Sequence, residues 1–121
     1  MKEENEQKRL ATMLDWMMPE LVWFHVPNGG SRKKNEAIKF KKMGVKAGVH
    51  DIFILHPIGR SHGLFIEMKV GDGKLSKEQI AFSKRANSLG YPCVVCYSAD
   101  EAFDVIEQYV AGKDFLSVQP L

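Results

Sequence analysis

The sequence predicts an α/β fold, a mixed β-sheet flanked by helices, and three observations predict it. Segments of helical apolar spacing alternate with short β-rich runs in the order α-β-α-β-β-α-β-α. The apolar runs at residues 51–55 and 64–70 stand at hairpin spacing, with a loop longer than the tightest kind. The chain has 121 residues, 45% of them hydrophobic and 26% charged, which suits one domain over residues 1–121 with one core.

The elements follow in order. Leu10, Met13, Leu14 and Met17 recur at helical spacing, so a first helix is expected over residues 4–17, stopped by Pro19. The methionines read as core packing, as do Trp16, Trp23 and Phe24, with Trp23 or Phe24 alternatively at a subunit contact. Residues 21–26 form a β-rich run that ends at Pro27-Asn28-Gly29-Gly30, a turn signal. Residues 33–43 read as a lysine-rich helix ending near Gly44. After the hairpin, Ser76-Lys77-Glu78-Gln79 resembles a capping box that opens a helix running to about Leu89, with Gly90 as its stop. A last strand over residues 93–97 and a last helix over 99–110 complete the order. Cys93 and Cys96 lie three apart on that strand, on opposite faces, and so read as core thiols rather than a redox or zinc pair.

No apolar run approaches the roughly 20 residues a membrane helix needs, so no membrane partner is expected. Acids occupy the N-terminus where a signal peptide would be apolar, and a cytoplasmic protein is expected. Gly71-Asp72-Gly73-Lys74 lacks the frame of a phosphate loop, and no organic cofactor is expected. Net charge is +2, but it is unevenly spread. Between residues 32 and 46, Arg32, Lys33, Lys34, Lys39, Lys41, Lys42 and Lys46 face only Glu36. From Asp100 onward five acids face only Lys113. The basic segment fits either a solvated helix or a face for an anionic partner.

The chemical anomaly is Glu67 with Lys69 inside an apolar strand, where alternation puts both on one face. A carboxylate in partly dry surroundings is costly unless it is paired or binds a cation. Asp51 opens the preceding strand, and the hairpin brings it near. Two carboxylates and a lysine make an oxygen-rich site for a hard cation such as Mg²⁺, suited to polarising a phosphodiester. The competing reading is an ordinary Glu/Lys pair beside an unrelated Asp. Gln79 likewise reads either as a cap partner of Ser76 or as a site residue. Ser31, Ser61 and Ser83 lie in no nucleophile elbow.

Four segments, residues 25–30, 43–51, 64–69 and 75–79, together resemble the VRR-NUC family, virus-type replication-repair nucleases of the PD-(D/E)xK superfamily. The resemblance covers roughly residues 6–110 and implies a restriction-endonuclease-like PD-(D/E)xK core. It implies that Asp51 and Glu67 hold Mg²⁺ or Mn²⁺, with the Met68 carbonyl and Glu6 completing the shell. Lys69 is then the motif lysine and Gln79 the helix glutamine near the catalytic site. Asn28 and Gly29 match a loop near the DNA backbone, and Arg32, Lys33, Lys34, Lys41, Lys42 and Lys46 would contact phosphates. The implied activity is metal-dependent endonucleolysis of branched DNA such as Holliday junctions by a homodimer, in phage replication or repair. The alternative is an inactive DNA-binding module of the same fold. One departure stands out: His50 precedes the first acid where the family pattern has proline.

Overall fold

The computed structural model describes residues 2–27 and 34–116. Its elements are α1 (Lys2–Met17), β1 (Trp23–His25), α2 (Lys34–Lys42), β2 (Ile52–Ile54), β3 (Leu64–Met68), α3 (Lys77–Ser88), β4 (Cys93–Cys96) and α4 (Ala99–Val110). The predicted order holds. Among the described residues the sheet has four strands in the order β1-β2-β3-β4. β1 pairs antiparallel with β2 and β2 antiparallel with β3, while β4 lies parallel to β3. α3 is the crossover that this parallel pair requires.

The two sheet faces differ in chemistry. Ile52, Ile54, Leu64, Ile66, Met68 and Cys96 turn toward α1 and α4, where Leu10, Leu14, Ala102, Phe103, Ile106 and Tyr109 close the aliphatic core. Each large side chain sealed there contributes about 1.5–3 kcal/mol. Arg9 grips Asp100 through two bonds of 2.9 and 3.1 Å, tying α1 to α4 at the surface. The opposite face is aromatic. Phe53 packs tilted against Phe65 at 4.6 Å, and Phe65 meets Phe82 of α3 edge-on at 5.0 Å. Cys93 and Cys96 divide between the faces, both buried, and burial pushes both thiols up to about 12.

Helix ends follow local chemistry. α2, α3 and α4 each end in a Schellman motif, with Gly44, Gly90 and Gly112 at positive φ. At α2, for instance, Gly44 N–H donates to Lys41 O and Val45 N–H to Phe40 O. At the start of α3, Ser76 Oγ accepts from Gln79 N–H at 3.1 Å, and Gln79 Oε1 accepts from Ser76 N–H at 2.8 Å. The predicted capping box is therefore complete.

Three expectations need correction. Trp16 is 82% exposed, and Met17 and Phe24 are also exposed, because the core takes Leu10 and Leu14 from α1 and the helical stripe ends there. β1 is shorter than residues 21–26, although Leu55 N–H still donates to Val22 O and Val26 N–H to Asp51 O. β3 stops at Met68 rather than residue 70, where a turn closed by Gly73 N–H and Val70 O begins.

Candidate active site

Local pairing builds the site. Ile52 pairs with Ile66, so the residues just before β2 lie beside the last residues of β3. Met68 N–H, left without a ladder partner beyond the end of β2, donates to Asp51 Oδ2 at 2.8 Å. A residue's N–H and C=O point to the same side of a strand, so the Met68 carbonyl faces Asp51 as well. His25 Nδ1–H and Val26 N–H both donate to Asp51 O, at 2.8 and 2.7 Å, and pin the Asp51 backbone from β1.

Glu67 is 2% exposed, and both its oxygens are engaged. Oε1 accepts from His50 Nδ1–H at 2.8 Å. Oε2 accepts from Gln79 Nε2 at 3.1 Å and lies 3.7 Å from Lys69 Nζ. The capping box orients the Gln79 amide: its oxygen must accept from Ser76 N–H, so its NH₂ turns to Glu67. Gln79 thus caps α3 and also contacts Glu67. Glu67, Lys69 and Asp51 meet at one end of the sheet, as alternation and the hairpin predicted.

Burial first, then the charge and hydrogen-bonding contact of Glu67, together push the Asp51 carboxyl up to about 7 from its ordinary 3.8, against the Met68 N–H that lowers it. Two carboxylates thus crowd a half-buried space, offset by Lys69. Carboxylate and carbonyl oxygens suit a hard divalent cation that keeps several of its waters. Among the described residues, however, no group of three or more His, Cys, Asp or Glu side chains is placed to hold a metal ion. Glu6 has other work. Its Oε1 accepts from Ala99 N–H at 2.7 Å, covering the N-terminus of α4, with Arg9 at 3.8 Å. The α1 acid whose charge reaches Asp51 is Glu3. The donors present are Asp51, Glu67 and the Met68 carbonyl.

Lys34, Lys41 and Lys42 lie exposed on α2, a helix with no buried residue, and Lys46 is exposed beyond it. Asn28, Gly29, Arg32 and Lys33 lie outside the described residues. Sequence reasoning missed two things. His50, noted in the sequence only as a departure from proline, is fully buried, edge-on to Phe82 at 5.2 Å, and its Nε2 accepts from Ser83 Oγ–H. Ser83 falls four residues after Gln79 and so on the same face of α3, the one signal that could have placed it near Glu67. The grip of His25 on Asp51 O depends on a strand pairing no local pattern specifies.

A strand-opening acid set against E-x-K on the next strand, in a mixed sheet flanked by helices, defines a nuclease-type fold with a PD-(D/E)xK core. The chain belongs to the VRR-NUC domain family, which matches residues 2–100. A solved structure described as a VRR_NUC domain protein is 31% identical, with a TM-score of 0.75 over 95% of this chain and 93% of that one. No curated protein matches. Among the described residues no helix is long and apolar enough to cross a membrane.

Proposed function

We propose that this chain is a Mg²⁺- or Mn²⁺-dependent endonuclease that hydrolyses DNA phosphodiesters, selective for branched structures such as Holliday junctions, and that it acts as a homodimer in phage replication or repair. The observation that supports this most is the convergence of Asp51, Glu67 and Lys69 at one end of the β2–β3 pair. Asp51, Glu67 Oε2 and the Met68 carbonyl would hold the cation. When bound, it supplies Lewis-acid polarisation of the phosphate and a more acidic water. Lys69 Nζ, held beside Glu67, steadies negative charge as it grows on the phosphate. Gln79 keeps the Glu67 carboxylate from rotating. The exposed lysines of α2 bind backbone phosphates, which gives affinity with little base choice. A single small domain has little surface for reading sequence, which favours structure over sequence as the determinant, and a two-fold dimer suits paired incisions across a junction.

The test is a divalent-metal cleavage assay on four-way junction, flap and linear DNA, with RNA in parallel. Metal-dependent cutting of the junction by wild type, lost in Asp51→Ala and about 100-fold slower in Lys69→Ala, is expected. DNA binding without metal-dependent cutting by any of the three would instead identify an inactive binding module. Light scattering that gave a monomer at assay concentration would remove the paired-incision part of the reading.

A further inference from the structure

The proline of the family pattern restrains backbone, whereas His50 here reaches through its side chain to a catalytic-site acid, so the substitution changes what holds the site together. The chain of contacts is continuous. Ser83 Oγ–H donates to His50 Nε2, and His50 Nδ1–H donates to Glu67 Oε1 at 2.8 Å. One ring proton on Nδ1 serves both bonds, because a carboxylate accepts and a hydroxyl can donate. The row has the order of an acyl-transfer triad, but Ser83 is 1% exposed and His50 0%, so no substrate reaches the hydroxyl. Phe82 and Phe65 flank the ring edge-on at 5.2 and 6.4 Å and hold its plane. Oε1 is thereby turned into the aromatic face of the sheet. Oε2 is left with Gln79 and with Lys69, whose side chain reaches solvent.

We propose that His50, clamped by Ser83 on α3, is a positioning residue that fixes the Glu67 carboxylate with Oε2 as its single cation-facing oxygen. This rests on the metal-dependent reading given above and deepens it. Partners behind a ligand orient it, and losing one typically weakens metal affinity about 10–100-fold. The consequence is specific: the site binds its cation through one oxygen of Glu67, and α3 sets the affinity without touching the ion.

The test is Mn²⁺ binding to the full chain by isothermal titration calorimetry, alongside thermal melts without metal and cleavage as a function of Mn²⁺. His50→Phe keeps the ring and removes both bonds, and its Mn²⁺ dissociation constant should rise about 10–100-fold. His50→Asn places an amide donor near the Nδ1 position and should recover part of that loss. Ser83→Ala should give a smaller rise, and saturating Mn²⁺ should return cleavage in all three to near the wild-type rate. An unchanged dissociation constant in His50→Phe, with only the melting temperature lowered, overturns the proposal. Should His50→Phe not fold, Ser83→Ala decides by the same measurement. If wild type binds Mn²⁺, Asp51→Ala abolishes that binding, and the His50 and Ser83 variants match wild type, the positioning role fails while the nuclease reading stands. If wild type itself binds no Mn²⁺, both fall.

Discussion

At Asp51, stability and the proposed function oppose each other. Its carboxyl sits at about 7 when folded, against 3.8 ordinarily, because burial and Glu67 disfavour the charge. The folded chain therefore holds a proton that the unfolded chain has released between those values. This contribution is fully present below 3.8 and is lost as pH rises through about 7. The metal-free protein should melt lower at pH 8 than at pH 5.5, and Asp51→Asn should narrow that difference while abolishing cleavage. Scanning fluorimetry of both chains across pH checks this. Mn²⁺ should raise the wild-type melting temperature at pH 8, where the carboxylate is free of its proton, more than at pH 5.5. Lys69→Ala should lower the cleavage rate about 100-fold, the usual loss for one charge-stabilising donor, with little change in melting. Asp51, Glu67 and Lys69 were legible in the sequence because alternation and hairpin spacing are local rules. His50 was not, since its partners Glu67 and Ser83 lie 17 and 33 residues away and meet it only after α3 docks.

Among the elements, α3 carries the most information per residue. Its capping box was legible from Ser76 and Gln79 alone, and the resemblance placed Gln79 near the site, but which atom its amide meets depends on where β3 ends. That double use separates two variants. Ser76→Ala removes a cap and should cost about 1 kcal/mol of stability, with Mn²⁺ affinity nearly unchanged. Gln79→Ala removes half the box and a Glu67 donor, so stability and Mn²⁺ affinity should fall together. Denaturant melts with calorimetry distinguish them. The loop ahead of Asp51 docks on the same helix end. Gly48 sits at φ +90, and a Cβ there would collide with Glu78 O of α3. Gly48→Ala should destabilise by about 1–3 kcal/mol through backbone strain and should displace Asp51 with the loop. Glu6 shows the limit of helical periodicity. It placed the acid on α1 correctly, yet whether that acid meets the sheet end or α4 depends on how the helix is rotated against its neighbours, which only packing decides.

Across the whole molecule, charge is segregated and the packing explains how it is tolerated. The acids of α4 lie on a helix whose other face seals the core through Ala102, Phe103, Ile106 and Tyr109. α2 contributes no buried residue and leaves even Ile38 46% exposed, so its lysines are not needed to hold the fold. Removing charge from α2 is therefore a clean perturbation. Replacing Lys34, Lys41 and Lys42 together by alanine should leave the melting temperature nearly unchanged, since exposed charges contribute little to stability and alanine favours helix. Binding to junction DNA should weaken, and its salt dependence should flatten. Each lysine that neutralises a phosphate contributes about 0.9 to the slope of log K against log salt, so three should reduce the slope by about 2.7. Fluorescence anisotropy over a salt series, with Asp51→Asn as background to prevent cutting, measures this directly. A slope unchanged by the triple substitution would mean that α2 is simply a solvated helix and that the phosphate contacts lie elsewhere. A flatter slope with junction preference intact would separate the two tasks: α2 supplies attraction to the backbone, and the shape of the site selects the branch.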